Sequence, residues 1–417
     1  MTVGLDRSLF RVVDLLTLLI QHTPVVSLRD HPEDPAEQHE PEESSGSSRC
    51  LEPVRHLYFH IPFCPKLCPY CSFYVEVGSR NKTTAFLDAL LAEVERAADR
   101  QPLQPHTLYF GGGTPSALTE PQLEYLLGGL RQRLDLSQLV EWDLEANPAT
   151  IRASKARLLH GLGVTRLSLG VQSWDDALLR TLGRVHNAAQ AEETFQVLRD
   201  AGFKNLNIDL MFAVPFQSLA QWHATLAKTV ALEPEHVSSY CLTYEEDTDY
   251  FRKLLGGEYR QDIDRDVAFF ELTMDTLHAA GFSQYEISNY ARAGGESRHN
   301  QAYWLGADYL GFGPSAFSTS GLHRWKNIPD TAEYTRRILA GEDPVSFEEH
   351  LTPEQRRGEI LAFALRTSAG VSAAEVEPWR EQVAEFQELG FLREHEGRLL
   401  LTRRGKMMAD TVAEVFI

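Results

Sequence analysis

Long apolar runs are scarce in this chain of 417 residues. The apolar stretch Leu15–Ile20 follows Asp14 and is much shorter than the roughly 20 residues that cross a bilayer. No cleavage site of small residues follows it, so we expect neither a signal peptide nor stable membrane insertion. A short amphipathic helix is the better interpretation of this stretch.

Positive charge is also in short supply. The chain has 40 Lys and Arg residues against 59 Asp and Glu residues, which gives a formal net charge of −19 at pH 7. Sequence-independent nucleic-acid binding needs basic stripes that displace counterions, and anionic membranes attract basic segments. We therefore expect no nucleic acid and no membrane surface among the partners.

Cysteines are few and unevenly placed. Of the 5 cysteines, Cys64, Cys68 and Cys71 lie within one short segment. An odd, clustered set does not fit a secreted disulfide framework, whereas it does fit metal ligation in a reducing compartment. We therefore expect a cytoplasmic protein.

From Leu57 onward, short apolar or β-branched segments alternate with longer segments of helical period. This pattern is typical of parallel strands joined by crossover helices, and it predicts an α/β fold. Six β/α units fit between about Leu57 and Thr243, which is too few for a closed eight-stranded barrel and suits a partial (β/α)6 TIM-type barrel. The strand candidates are LYFHI, TLYFGG, VEWDLEA, VTRLSLGV, NLNIDLMF and HVSSYCLT. The helix candidates are Thr84–Arg100, Pro121–Leu134, Ser154–Leu162, Ala188–Ala201 and Leu219–Leu232.

Four regions are predicted along the chain. Residues 1–50 hold the N-terminal helix and an acidic linker, Asp30–Arg49, which is rich in Pro, Glu and Ser and expected to be disordered. Residues 51–250 form the partial barrel. Residues 251–345 form an α/β extension with the helix Val267–Ala280, the strand-like QYEIS and a Gly- and aromatic-rich stretch, Ser297–Ser318. Residues 346–417 alternate helices with the probable hairpin EHEGRLLLT and predict a small winged-helix-like domain.

The carboxyl ends of the predicted strands carry polar or glycine-rich groups. In parallel barrels the chemistry collects at this end of the strands, so we expect the functional site there. The groups are His60 with the cysteine loop behind it, GGGTP at Gly111–Pro115, Glu145, Gln172 and Asp209.

The segment HIPFCPKLCPYC has the spacing C-x3-C-x2-C directly after a predicted strand. A cubane iron–sulfur cluster has about four irons, so three thiolates leave one iron without a protein ligand. An open metal position of this kind is typical of a centre that binds a reactant. The alternative is a structural zinc site, which usually shows two cysteine pairs or paired histidines. Cys50 lies in the predicted linker region and Cys241 stands alone on the last predicted strand, so the spacing favours the cluster.

The cysteine motif, the GGGTP turn and the strand order resemble the radical S-adenosylmethionine (SAM) superfamily. From Leu57 onward, the chain resembles the anaerobic coproporphyrinogen III oxidase family within it, whose C-terminal domain is of HemN type. The resemblance implies a [4Fe-4S] cluster on the three cysteines, with SAM bound at the open iron and split to a 5′-deoxyadenosyl radical. It also implies an electron donor as a partner. The radical chemistry would belong to the cofactor, which the protein would bind and orient.

The resemblance also implies site residues. It places His60 beside the reaction site as the catalytic candidate, and Gly112, Gly113 and Thr114 against the methionine moiety. A zwitterionic sulfonium nucleoside calls for carboxylate, guanidinium and amide partners. The cofactor-binding residues that it implies are Tyr58, Tyr70, Gly112, Gly113, Thr114, Glu145, Gln172, Arg184, Asp209, Cys241 and Phe317.

Two branches of the family are candidates, and the HemW-like heme-chaperone branch is the leading hypothesis. The decarboxylating oxidase resembles C-x3-C-x2-C-x-C, whereas this chain has Ser72 and Phe73 after Cys71. The HemW-like heme chaperones have an acidic residue and then Phe there, so Phe73 favours that branch and Ser72 departs from it. The chaperone branch implies heme as cargo and heme-accepting proteins as partners. The oxidase branch implies a porphyrinogen substrate.

The stretch from Ser283 to Trp304 resembles the chaperone branch as well. The resemblance makes His299 a candidate ligand of heme iron, with Tyr303 and Trp304 flanking the flat macrocycle. The alternative is that RHNQAYW is a structural turn at the barrel mouth. A further hypothesis, a winged-helix regulator with a redox-sensing cluster, predicts specific DNA binding, which the charge pattern does not favour.

Overall fold

The computed structural model describes residues 52–417, so the expected N-terminal helix and linker lie outside the described residues. The strands are β1 (Val54–Ile61), β2 (Phe63–Cys64), β3 (Glu76–Val77), β4 (Leu103–Gly112), β5 (Glu141–Ala146), β6 (Arg166–Gln172), β7 (Leu206–Phe212), β8 (His236–Cys241), β9 (Ser283–Gln284), β10 (Asn289–Ala291), β11 (Leu310–Phe312), β12 (Phe317–Ser320), β13 (His323–Asn327), β14 (Val345–His350), β15 (Val371–Ser372), β16 (Leu392–His395) and β17 (Arg398–Leu401).

Helices alternate with the strands through the first half of this range and dominate the C-terminal part. They are α1 (Arg80–Arg100), α2 (Glu120–Arg133), α3 (Ala153–Gly161), α4 (Asp176–Thr181), α5 (Ala188–Asp200), α6 (Leu219–Ala231), α7 (Asp249–Leu255), α8 (Ile263–Ala279), α9 (Arg298–Trp304), α10 (Thr331–Leu339), α11 (Pro353–Leu365), α12 (Arg380–Glu388), α13 (Arg403–Lys406) and α14 (Ala409–Ala413). None of these helices, within residues 52–417, is both long enough and apolar enough to cross a bilayer.

The main sheet has 9 strands in the order β11-β1-β4-β5-β6-β7-β8-β10-β9. The strands β1 and β4 to β8 are parallel, and β11 adds to them in parallel beside β1. At the other edge, β10 pairs antiparallel with β8 and with β9. Within the described residues the two edge strands of this sheet are β11 and β9. The predicted α/β fold with six β/α units in a partial barrel is confirmed.

The two faces of the parallel strands differ in chemistry, because successive side chains of a strand point to opposite sides. Leu57, Phe59 and Ile61 of β1 are 0% exposed and belong to the main hydrophobic core. The Phe59 ring stacks on the Phe110 ring of β4 with centroids 4.6 Å apart. The alternate residues Tyr58 and His60 line an interior cavity instead. The strand pattern therefore puts apolar groups on the helix side and polar groups on the inner side.

One predicted element is wrong. Of the segment QYEIS, residues 284–288, only Gln284 lies in a strand, and the four residues that follow it turn between β9 and β10, which pair through Tyr290 and Gln284. The Glu286 carboxylate accepts a hydrogen bond from the backbone N–H of Ser288 at 3.1 Å, which stabilises this reversal. The turn lets β10 run back along β8.

The C-terminal part has a core of its own. Trp304 and residues of α11 and α14 pack together there with the sheet β15-β17-β16, in which β16 and β17 form the expected hairpin. The Arg324 guanidinium on β13 binds the Glu359 carboxylate on α11 at 2.6 Å, and both side chains are nearly buried. This ion pair fastens the small domain to the preceding α/β extension.

Candidate functional site

The cysteine loop begins where β1 ends. The short strands β2 and β3 pair Phe63 with Glu76 and Cys64 with Val77, so the residues between the two strands form a loop whose ends are held together. Inside the loop the backbone N–H of Cys71 donates to the carbonyl of Cys68 at 3.2 Å. All three thiols are free and partly exposed. Local pairing therefore holds the three sulfurs on one small loop at the barrel mouth.

A single cavity of about 520 Å³ joins this loop to the carboxyl ends of the strands. Nearly all of the residues that the sequence analysis singled out for the site lie on its wall. They are Tyr58, His60, Cys64, Cys68, Tyr70, Cys71, Gly112, Gly113, Thr114, Glu145, Gln172, Arg184, Asp209, Cys241, His299, Tyr303 and Phe317. Only Trp304 of that set is not brought there.

The glycine turn after β4 packs against the cysteine loop. The backbone N–H of Gly113 donates to the carbonyl of Ile61 at 2.9 Å, and that of Thr114 donates to the carbonyl of Phe63 at 2.9 Å. A Cβ at position 113 would lie 2.7 Å from the Ile61 carbonyl oxygen, which is too close for a real contact. The hydroxyl of Thr114 lies 3.4 Å from the Cys64 sulfur. Glycine is needed here to let two backbones meet.

We predict that Gly113→Ala destabilises the protein by about 1–3 kcal/mol, the usual cost of overpacking a tight site. The matched control is Gly128→Ala in α2, where an added Cβ meets nothing within 4 Å and alanine favours the helix. Thermal unfolding of both variants checks the prediction. Equal midpoints for the two would contradict it.

Arg184 brings positive charge to the cysteine loop. Its Nη1 donates to the Cys68 sulfur at 3.6 Å and its Nη2 donates to the carbonyl of Gly170 at 2.7 Å. Burial raises the pKa of the Cys71 thiol to about 12, and the Arg184 guanidinium works against that rise. The guanidinium therefore favours the thiolate form that metal ligation needs.

Two buried carboxyl groups face the same cavity. Glu145 Oε1 accepts a hydrogen bond from the Tyr109 hydroxyl at 2.7 Å, yet burial raises the pKa of Glu145 to about 8. Burial also raises the pKa of Asp209, which accepts from Ser168 at 3.0 Å and from Asn207 at 2.6 Å. A cation bound beside either group would favour its ionised form, because opposite charge offsets desolvation.

Gln172 ends β6 in a left-handed conformation with φ 69°. Its Oε1 is buried and has no hydrogen-bond partner within residues 52–417, and the same holds for Nε of Arg184. A buried amide oxygen without a partner costs about 1–3 kcal/mol, so the site suits a ligand that supplies a donor. The ammonium and hydroxyl groups of SAM are such donors.

The three cysteines fit a cubane cluster. No group of three or more His, Cys, Asp or Glu side chains in the described part of the chain is placed to hold a metal ion. A single ion needs several ligands around one point, whereas a cubane cluster needs separate thiolates, each of which binds a different iron. Three sulfurs on one loop, with the Arg184 guanidinium beside Cys68, meet that demand. The buried carboxyls and the orphaned amide next to them suit the cationic nucleoside.

His60 is held on both sides of its ring. The Tyr58 hydroxyl lies 3.1 Å from Nδ1, and Nε2 lies 2.8 Å from the backbone oxygen of Tyr74. Burial lowers the pKa of His60 to about 4. The ring is therefore neutral near pH 7, with Nε2–H donating to the carbonyl and Nδ1 accepting from the tyrosine.

His299 and Tyr303 lie one turn apart on α9 and both reach the cavity wall. His299 is 1% exposed, and its ring stacks on the Tyr109 ring with centroids 5.0 Å apart. Its Nδ1 lies 2.6 Å from the Thr107 hydroxyl. Its Nε2 has no partner in the part of the chain that the structure describes. Burial lowers the pKa of His299 well below the ordinary value, so the free nitrogen belongs to a neutral ring.

The predicted role of Trp304 beside the macrocycle is wrong, because Trp304 packs in the C-terminal core rather than beside the cavity. Its ring lies 6.3 Å from that of Phe363, and the Arg366 guanidinium lies 5.2 Å from its centroid. A residue five positions along a helix from His299 points roughly 140° away from it. Trp304 therefore does not flank a macrocycle held by His299.

Polar residues that were not predicted from the sequence line the inner strand faces below the cavity mouth. Arg166 Nε donates to Asp143 Oδ2 at 2.8 Å, and both side chains are 2% exposed. Glu141 accepts from the backbone N–H groups of Arg298 and His299 at 2.9 Å each. The signal was available, since charged residues at alternate positions of otherwise apolar strands predict a polar interior.

Comparisons with known proteins agree with this geometry. Residues 58–228 match the radical SAM superfamily and residues 351–408 match the HemN C-terminal domain. The heme chaperone HemW of Bacillus subtilis is 33% identical over 377 residues, which cover 87% of this chain and 99% of that protein. The chain belongs to the HemW family of radical SAM proteins. The predicted membership of the HemW-like branch is thus confirmed.

Further comparisons agree with this membership. The heme chaperone HemW of Escherichia coli is 32% identical, with 88% of this chain and 98% of that protein covered. The mouse protein named radical S-adenosyl methionine domain-containing protein 1, mitochondrial, is 32% identical over 88% of this chain and 85% of its own. The solved structure of coproporphyrinogen III oxidase HemN from Escherichia coli matches with a TM-score of 0.76 at 22% identity, covering 88% of this chain and 91% of that one. That structure confirms the fold.

Proposed function

We propose that this protein is a heme chaperone: it binds heme in the cavity between the cysteine loop and α9 and delivers it to heme-accepting proteins. The observation that carries the proposal is the shared wall, since Cys64, Cys68, Cys71 and His299 line one cavity. Its relatives named heme chaperone support the same function.

We propose Cys64, Cys68 and Cys71 as the ligands of a [4Fe-4S] cluster. A cluster bound there would provide the electron that cleaves SAM, and a donor protein would be needed to resupply that electron. Arg184 would hold negative charge near Cys68, and the buried carboxyls of Glu145 and Asp209 would bind the cationic groups of SAM. The residues Tyr58, Tyr70, Gly112, Gly113, Thr114, Gln172, Cys241 and Phe317 would complete the wall around it.

The heme contacts follow from α9. We propose His299 as the ligand of heme iron, because a neutral imidazole with a free Nε2 is the commonest protein ligand for metals. Tyr303 lies edge-on to the His299 ring with centroids 4.7 Å apart, and would pack against the macrocycle. His60 stays the candidate for a role at the reaction centre. Nucleic acid is not among the proposed partners, and we propose a cytoplasmic location.

The test uses the full chain, reconstituted with iron and sulfide under anaerobic conditions. Hemin titration followed by the Soret band should show saturable binding, and apomyoglobin should then withdraw the heme. His299→Ala should weaken hemin binding by more than about 10-fold, the range seen when metal-site support is lost. The matched control is His323→Ala, since His323 lies outside the cavity on β13.

The rival activity is measured in the same preparation. Coproporphyrinogen, SAM and dithionite are added, and the products are analysed by mass. We expect no vinyl-bearing porphyrinogen. Decarboxylated product together with no saturable hemin binding would overturn the chaperone proposal in favour of the oxidase.

A further inference from the structure

The Thr107 side chain lies behind the His299 ring. Its Oγ1 is 2.6 Å from His299 Nδ1, and both residues are 1% exposed. On its other side the same Oγ1 lies 3.0 Å from Nδ1 of His56. One hydroxyl of β4 thus bridges two imidazoles, of which one borders the cavity and the other does not.

A hydroxyl carries one proton, which limits how the bridge can be protonated. With both rings neutral and the hydroxyl proton used within the bridge, the hydroxyl donates to one Nδ1 and accepts from the other. In the first arrangement His299 carries its proton on Nδ1 and donates it to Thr107, which in turn donates to His56. In the second arrangement the direction reverses, and His299 carries its proton on Nε2.

The two arrangements differ at His299 Nε2, which is buried and has no partner within residues 52–417. The second arrangement would bury an N–H donor with nothing to accept it. Orphaned buried donors are rarer than under-satisfied acceptors, so the first arrangement is favoured. It leaves a lone pair on Nε2 at the cavity wall.

The backbone and the ring face of His299 are fixed as well. Glu141 accepts from the backbone N–H of His299 at 2.9 Å, which holds the start of α9 against β5. The Tyr109 ring stacks on the imidazole at an interplanar angle of 22°. These two contacts set the backbone and the ring plane of His299. What they leave undetermined is which ring nitrogen carries the proton, and Thr107 lies beside one of the two, Nδ1.

We propose that Thr107 is a positioning residue that fixes the Nδ1–H tautomer of His299, so that Nε2 presents its lone pair to heme iron. This inference rests on the proposed heme-binding function. Metal-ligating histidines generally donate their second ring N–H to an outer partner, and loss of that partner costs about 10- to 100-fold in metal affinity. His56 completes the bridge by accepting the hydroxyl proton.

The binding test compares variants of the full chain by hemin titration. Thr107→Val keeps the shape and removes the hydroxyl, and it should weaken hemin binding by about 10- to 100-fold. Thr107→Ser keeps the hydroxyl, and it should bind hemin as the wild type does. Resonance Raman spectra of the ferrous complexes should show a lower iron–histidine stretching frequency for the valine variant, because the donated N–H bond is lost. A serine variant as weak as the valine variant would overturn the proposal.

The tautomer is measured separately, without heme, by NMR of the histidine ring nitrogens. The His299 resonances are assigned from their absence in His299→Ala. The wild type should show the Nδ1–H form, and an Nε2–H form would overturn the inference even if hemin binds. Should the wild type show the Nδ1–H form but bind no hemin, the proposed function fails while the role of Thr107 in setting the tautomer stands.

Discussion

Replacing Cys64, Cys68 and Cys71 together by alanine is expected to leave the anaerobically reconstituted protein without cluster iron. The wild type should hold about 4 irons per chain, the content of one cubane. The three sulfurs are the thiols of one loop, and the pKa of Cys71 is high enough that metal binding must displace its proton. Iron analysis and the visible absorbance of the cluster measure the outcome, and addition of SAM should perturb that absorbance only in the wild type.

Cys241 offers the matched control for the cysteine prediction, because its thiol borders the same cavity from β8 and lies outside the motif. Cys241→Ala should keep full cluster iron. Were iron lost in Cys241→Ala, the cluster would have a fourth thiolate and no open iron. Retention of iron in the triple variant would contradict the cluster assignment altogether.

Arg166→Met is expected to lower the free energy of unfolding by about 3–5 kcal/mol, which is the cost of removing one partner of a buried ion pair. Burial raises the pKa of Asp143, and the Arg166 guanidinium beside it works against that rise by favouring the carboxylate. Without the guanidinium, Asp143 and the nearby Glu141 would lose their buried cation. Arg166 also donates to Asn205 and to the carbonyl of Gly295.

The measurement is the thermal unfolding midpoint, which should fall by several degrees in Arg166→Met. Arg336→Met is the matched control, since the Arg336 side chain is 52% exposed and its pair with Glu333 lies at the surface. Water screens the attraction within exposed ion pairs, so this control should unfold close to the wild type. If the unfolding midpoint fell by a similar amount in both variants, the contribution of Arg166 to stability would not depend on its burial, and the prediction would be contradicted.

The parallel strands and the cysteine site could be predicted because both depend on local pattern. An apolar and β-branched run such as LYFHI predicts a strand. Three cysteines at C-x3-C-x2-C come close together in space because they are close in sequence. Pairings between distant residues carry no such pattern. Thr107 and His299 meet only because α9 packs across β4, which no spacing in the sequence reveals.

Two of the errors have a physical cause. Trp304 is next to Tyr303 in sequence, yet it lies five positions after His299 on the helix and so points roughly 140° away from that residue. The segment QYEIS has the composition of a strand, and the Glu286 side chain turns it by bonding to Ser288. The domain boundaries near residues 250 and 345, and the roles of the individual site residues, stay predictions.

The cavity takes its wall from segments as distant along the chain as Tyr58 and Asp410. A ribosome adds about 5–20 residues per second, so the cysteine loop emerges well before the region that faces it across the interior. Until that region has been translated, its residues cannot contribute to the cavity wall. The wall around the thiols and the His299 imidazole is therefore completed only at a late stage of synthesis.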